Sequence, residues 1–86
     1  MNCFHLKIVT PEGISYDGQA ESVTVNTITG YLGILAGHID MTTALGKGEA
    51  RVMIDGVLRT ANCQNGLISV QNGEVTMLPA AFHWTN

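Results

Sequence analysis

Three histidines, seven carboxylates and two cysteines are the side chains of this 86-residue chain that could carry acid–base, nucleophilic or metal chemistry. His5, His38 and His83 stand far apart, and none has a Cys, His or carboxylate at the short spacing of a metal-ligand motif. His38 is the most suggestive, because Asp40 follows two residues later. Three readings of it stand side by side: a loop histidine bonded to backbone, a contact residue on a binding edge, and a catalytic His–Asp pair. The last lacks an accompanying nucleophile motif. The acids Glu12, Asp17, Glu21, Asp40, Glu49, Asp55 and Glu74 sit mostly in or beside turn signals, where carboxylates are expected. Glu21 reads as the solvated flank of a strand. No Gly-x-Gly-x-x-Gly or phosphate-binding loop occurs, and the nearest echo, Gly30-Tyr31-Leu32-Gly33 with Gly37, has no helix after it to present free N–H groups. The sequence therefore predicts neither catalytic residues nor a cofactor or metal.

The balance of residues points instead to docking. Apolar residues make up 45% of the chain and charged ones 13%, which leaves a weakly protected surface suited to a protein partner. The net charge is −3, and the four basic residues, Lys7, Lys47, Arg51 and Arg59, are dispersed. Nucleic-acid binding calls for a concentrated basic patch. No apolar run reaches the roughly 18 residues of a membrane span, and the N-terminus lacks the basic-then-apolar order of a signal peptide. A cytosolic protein is expected. Cys3 and Cys63 fit that compartment as reduced thiols, with pairing between them left open.

The elements that must position these residues read as strands. Apolar and polar residues alternate in Phe4–Ile8, Ser22–Asn26, Ile68–Gln71 and Glu74–Met77, the period of strands with one buried face. Turn signals fall at Pro11-Glu12-Gly13, Asp17-Gly18, Gly46-Lys47-Gly48, Asp55-Gly56, Asn65-Gly66 and Asn72-Gly73. Met41–Leu45 is too short and too rich in threonine for a helix. The pattern predicts one all-β domain over residues 1–86, a sandwich or barrel of eight to ten short, mostly hairpin-connected antiparallel strands, with 81–86 as a short tail. Its inner face should hold Phe4, Leu6, Ile8, Val23, Val25, Val52, Ile54, Leu58, Ile68, Val70, Val75 and Met77, and Gly48–Pro79 should form a four-stranded meander. The glycines at 30, 33, 37, 46 and 48 punctuate an apolar segment that reads both as a bent strand and as a docking edge.

That segment, GYLGILAGHIDMTTAL over residues 30–45, resembles the signature of the epsilon subunit of F-type ATP synthases, and the likeness extends over residues 4–80. FHLKIVTPEGISYDG is similar to that family's opening strand and turn. The resemblance implies a ten-stranded β-sandwich at the foot of the rotor, in the central stalk on the cytoplasmic side of an energy-transducing membrane. It implies a non-catalytic part that docks on the gamma subunit and on the ring of membrane subunits, coupling ion-driven rotation to ATP synthesis. By resemblance Thr10, His38 and Thr43 face gamma, while Thr29, Gly30, Tyr31 and Leu32 approach the ring. Tyr31 stands where the family usually has an acid, and Ala36 and Asp40 stand where it has prolines. Family members continue into a two-helix hairpin; the end at Asn86 reads as a natural short form without that regulatory element. A stand-alone sandwich binding a peptide or carbohydrate is the alternative.

Overall fold

The structure is a computed structural model that describes residues 2–86, and all its regular elements are strands. They are β1 (Phe4–Thr10), β2 (Gly13–Ala20), β3 (Ser22–Thr27), β4 (Gly30–Leu35), β5 (Met41–Ala44), β6 (Gly48–Ile54), β7 (Val57–Gln71) and β8 (Glu74–Trp84). Hydrogen bonding runs in the order β2-β1-β8-β7-β6-β3-β4, with β5 on β7. The two long strands serve both layers. The first half of β7 pairs with β6, and its second half pairs with β5. β8 follows β7 throughout. The eight strands, with each half of the two long ones counted separately, give five segments per layer, the ten-stranded sandwich that the resemblance implies. One pairing departs from the antiparallel expectation: β1 and β8 run parallel, with Leu6, Lys7 and Ile8 opposite Val75, Thr76 and Met77.

The corner in β7 decides which residues face inward. Asn65 and Gly66 both have positive φ, 52° and 104°. They do not close a hairpin as expected; they bend one continuous strand, so the meander from Gly48 onward has three strands and not four. Before the corner Ala61 and Cys63 are buried, and after it Ile68 and Val70 are. Burial thus switches from odd to even positions. In β8 it switches at the matching place, from Val75, Met77 and Pro79 to Phe82. A side-chain period of two makes such a one-residue phase change swap the faces. Gly66 permits it, because a Cβ there would stand 2.1 Å from the Leu78 carbonyl oxygen. Asp17-Gly18 is likewise no turn but lies inside β2. Asp55-Gly56 and Asn72-Gly73 do close two-residue hairpins, with positive φ at both residues of each pair.

Ten of the twelve side chains expected inside are buried, in one cluster spanning both layers. Ile54 is half-buried, and Leu58 is 45% exposed because Ala61 and Cys63 set the inward phase of its strand. Ala20, Ile34, Leu45, Ala50 and Phe82 complete the core. Burial pushes the Cys63 thiol up to about 11, so it behaves as a small core side chain. Cys3 is exposed just before β1. Residues 81–84, expected as tail, are the end of β8. Trp84 stacks edge-on against Phe82 and Tyr16, at centroid distances of 5.0 and 6.4 Å. Its indole N–H donates to the Ser15 carbonyl at 3.5 Å, and the Arg59 guanidinium lies 4.0 Å over its ring. These contacts hold the last segment of one layer to the edge strand of the other.

Candidate docking surface

The outward face of the β5-β7-β8-β1-β2 layer is graded. Ala44 is paired with Leu67, and Leu67 with Leu78. One step beyond the Ile8–Met77 pairing brings Val9 beside Leu78, and Val9 is paired with Ile14. The alternate positions, Ile68, Met77 and Ile8, point into the core. An unbroken apolar row therefore crosses five strands, roughly 19 Å at the usual strand spacing. Ile14 is 60% exposed, and Leu78 and Leu67 nearly half. The adjacent row on the same face is Thr42, Ser69, Thr76, Lys7 and Asp17, paired in that order, and it is entirely polar. Beyond it lies a shallow polar groove of about 440 Å³ lined by Ser69, Gln71, Asn72, Glu74 and Thr76. One end of the face suits a protein partner, and the other suits water.

The β3–β4 turn joins the apolar end. The Ile28 amide donates to the Ala44 carbonyl at 3.2 Å. The Thr27 hydroxyl donates to the Gly30 carbonyl at 2.6 Å and accepts from the Thr29 amide at 3.2 Å, which fixes the tip. Gly30 takes a φ of 116°, a conformation that L side chains rarely adopt. The rigid tip holds Ile28 and Tyr31 out, 71% and 70% exposed, while Leu32 turns inward and is half-buried.

The gamma-facing residues named from the resemblance are not gathered at one spot. Thr10 is buried at the end of β1, where its hydroxyl donates to the Gly13 carbonyl and accepts from the Glu12 amide. It braces the turn that presents Ile14. Thr43, half-buried, is one pair along from Ala44. His38 lies at the opposite end of the sheet. Its loop is tied to the β7–β8 turn by the Asp40 carboxylate, which accepts from the Asn72 amide at 3.0 Å. The His38 Nδ1 stands 2.8 Å from the Ile39 carbonyl, as for a loop histidine bonded to backbone, and not against Asp40 as a catalytic pair requires.

Two roles escaped the sequence reading. The Glu21 carboxylate accepts from the Gly56 amide at 2.6 Å, so it pins the β6–β7 turn. His5 lies between two acids on the polar half of the graded face. Its Nε2 is 2.5 Å from Asp17, and its Nδ1 is 3.4 Å from Glu74. The hydrogen bond to Asp17 chiefly raises its pKa above 6.5, with Glu74 adding to the rise and desolvation opposing both. Among the described residues no three His, Cys, Asp or Glu side chains are placed to hold a metal ion.

Comparison with known proteins agrees on one family. The ATP synthase epsilon chain of Ruminococcus albus is 34% identical over 87 aligned positions, covering all of this chain and 65% of that protein. The epsilon chain of Caldanaerobacter subterraneus subsp. tengcongensis is 37% identical, covering 94% and 59%. That of Prochlorococcus marinus is 40% identical, covering 85% and 54%. The chain thus spans between about half and two thirds of the length of these relatives. In the cryo-EM structure of the Euglena gracilis mitochondrial ATP synthase (OSCP/F1/c-ring), one chain has the same fold, with a TM-score of 0.90 at 20% identity over 98% of this chain and 54% of that one. A chain of the Tetrahymena thermophila mitochondrial ATP synthase central stalk/c-ring matches with a TM-score of 0.77 at 14% identity, covering 91% and 63%. The family profile described as ATP synthase, Delta/Epsilon chain, beta-sandwich domain matches residues 3–85, and the chain belongs to that family.

Proposed function

We propose that residues 1–86 act as one non-catalytic docking domain in the rotor of an F-type ATP synthase. The domain sits in the central stalk, peripheral to the energy-transducing membrane on its cytoplasmic side, and binds the gamma subunit and the ring of membrane subunits. In that place it couples ion-driven rotation to ATP synthesis. The observation that carries this reading is the apolar row of Ala44, Leu67, Leu78, Val9 and Ile14, joined at Ala44 to the exposed Ile28 of the β3–β4 turn. An interface core is poor in charge and rich in apolar and aromatic groups, and this surface has that make-up.

In this proposal gamma covers the row, with Thr10 and Thr43 at its margins, and extends to His38 at the far end of the sheet. The ring meets the Thr29–Leu32 tip. Tyr31 makes that contact by packing and a hydroxyl hydrogen bond, with no charge involved. The test is binding of the domain to a purified gamma–ring subcomplex. Leu78→Gln and Tyr31→Ala should each weaken assembly about thirtyfold, the loss typical of a central anchor of ~2 kcal/mol. Unchanged affinity in both variants would assign the partners to another face.

A further inference from the structure

Three pairs with glycine second have positive φ at both residues: Asp55-Gly56, Asn65-Gly66 and Asn72-Gly73. Such a pair can react with itself. The glycine amide nitrogen, once deprotonated, attacks the side-chain carbonyl carbon of the preceding Asn or Asp, because no Cβ shields it. The reaction needs that nitrogen free and the peptide between the two residues able to rotate. The Gly56 amide is held by the Glu21 carboxylate at 2.6 Å. The Asn65–Gly66 peptide is clamped on both sides. The Asn65 amide donates to the Gly46 carbonyl at 3.3 Å, and the Gly66 carbonyl accepts from the Leu45 amide at 2.8 Å. A Cβ on Gly66 would also stand 2.1 Å from the Leu78 carbonyl oxygen. Asn72 and Gly73 are both exposed, at the tip of the hairpin that the Gln71–Glu74 pair closes. The closing pair bonds to itself, so the Gly73 amide has no ladder partner, and nothing lies within 4 Å of where a Gly73 Cβ would stand. The bond from the Asn72 amide to the Asp40 carboxylate, at 3.0 Å, holds the peptide before Asn72 and not the one after it.

We propose that Asn72 is a modification site, deamidating spontaneously in the folded chain, and that the product releases the loop at His38 from the β7–β8 turn. The Gly73 nitrogen gives its proton to base and forms a bond to Asn72 Cγ. The Cγ–Nδ2 bond breaks, and Nδ2 takes a proton from solvent and leaves as ammonia. Water then opens the cyclic imide, at the main-chain carbonyl of position 72 to give isoaspartate, or at Cγ to give aspartate. No oxidant or cofactor enters the balance. In the isoaspartyl product the backbone runs through the side-chain carbons, one atom longer, and a carboxylate is left on the turn. This adds one negative charge to a net charge of −3. The new carboxylate stands beside that of Asp40 and two positions before Glu74. Repulsion between like charges and a lengthened turn both oppose the Asp40 bond, which ties the 36–40 loop to the hairpin. The proposal concerns the chain alone and does not rest on the stalk reading.

Peptide mapping by mass spectrometry, on the folded chain aged in mildly alkaline buffer, tests the first step. The peptide holding Asn72 should convert from amide to acid, with isoaspartate the larger product. It should do so about tenfold faster, or more, than the peptide holding Asn65, which must first open locally. In concentrated urea the two identical dipeptides should react at similar rates, and Asn72→Gln should suppress conversion at that position. The aged product separates from the parent by ion exchange, through its added charge. Amide hydrogen exchange then tests the second step. The His38 amide, which donates to the Leu35 carbonyl at 3.2 Å, should exchange faster in the isoaspartyl form, and Asp40→Ala should reproduce that acceleration. Asn65 converting as fast as Asn72 in the folded chain, or neither converting, overturns the assignment of the site. An unchanged His38 amide in the isoaspartyl form overturns the release of the loop.

Discussion

The two faces of the layer built from β5, β7, β8, β1 and β2 differ in what a linear sequence can say about them. The inner face is read from period-two alternation, because each strand states its own inward set. Leu6 and Ile8, Ile68 and Val70, and Val75 and Met77 were all legible, and all are buried. The outer face carries an apolar row that no single strand states. Val9, Leu67 and Leu78 each adjoin a core residue, Ile8, Ile68 and Met77, and break the alternation of their own strands, while Ile14 stands alone between Gly13 and Ser15. They become one surface only through the register of four strand pairings, one of them parallel. Local pattern encodes burial, whereas pairing encodes adjacency. The proposed docking surface depends on pairing, and alternation alone does not reach it.

The sharpest way to break this comparison is to disturb the corner that fixes the register. Gly66→Ala places a Cβ against the Leu78 backbone at a φ of 104°, so the strand itself must shift. The expected loss exceeds roughly 3 kcal/mol, since backbone strain and a hard overlap add. A denaturant melt measures it, and an unfolded product is within the expectation. A variant within about 1 kcal/mol of the parent would show that the corner does not set the register.

A smaller effect separates the faces directly. Val70→Ala, on the inner face, should cost roughly 1–3 kcal/mol in the same melt, as truncation of a buried side chain does. Leu67→Gln, three positions earlier on the same strand but on the outer row, should leave stability within about 0.5 kcal/mol. Equal losses in the two variants would mean that the outer row is structural and not a surface kept for a partner.

The sequence reading failed where strands are not independent. The Leu58-Arg59 alternation points Leu58 inward, yet Ala61 and Cys63 set the phase of the strand. Asn65-Gly66 carries a hairpin signal, but the pairing of β7 with β8 continues across it, so tertiary context turned a turn motif into a bend. Phe82 and Trp84 fall in the segment expected as a tail, beyond the last alternating run, Glu74–Met77. The burial of Phe82 and the partial burial of Trp84 depend on residues far upstream, Tyr16 among them. Thr10 and Thr43 came from the resemblance and flank the apolar row. His38 came from the same source and lies at the sheet's other end.

The smallest expected effect tests the polar half of the graded face. His5 stands between Asp17 on β2 and Glu74 on β8, with Lys7 on its own strand opposite Asp17. Asp17, and then Glu74, hold the imidazolium, so the folded-state pKa lies above the 6.5 of the unfolded chain. A raised folded pKa means that the folded state binds the proton more tightly. The resulting stability is fully present below pH 6.5 and is lost as pH rises through the folded value. The pairs are open to solvent, so the change in melting temperature is small and shrinks in salt. Asp17→Asn should bring the His5 titration, followed by its ring resonances, back toward 6.5, and Glu74→Gln should move it less. Both variants should flatten the decline in melting temperature above pH 6.5, while Leu78→Gln, on the apolar end, should leave that decline in place. If His5 of the parent titrates at or below 6.5, the two carboxylates do not hold it in solution. The polar end would then be a solvated surface with no ion pair across β1, β2 and β8, and the contrast between the two ends would rest on the apolar row alone.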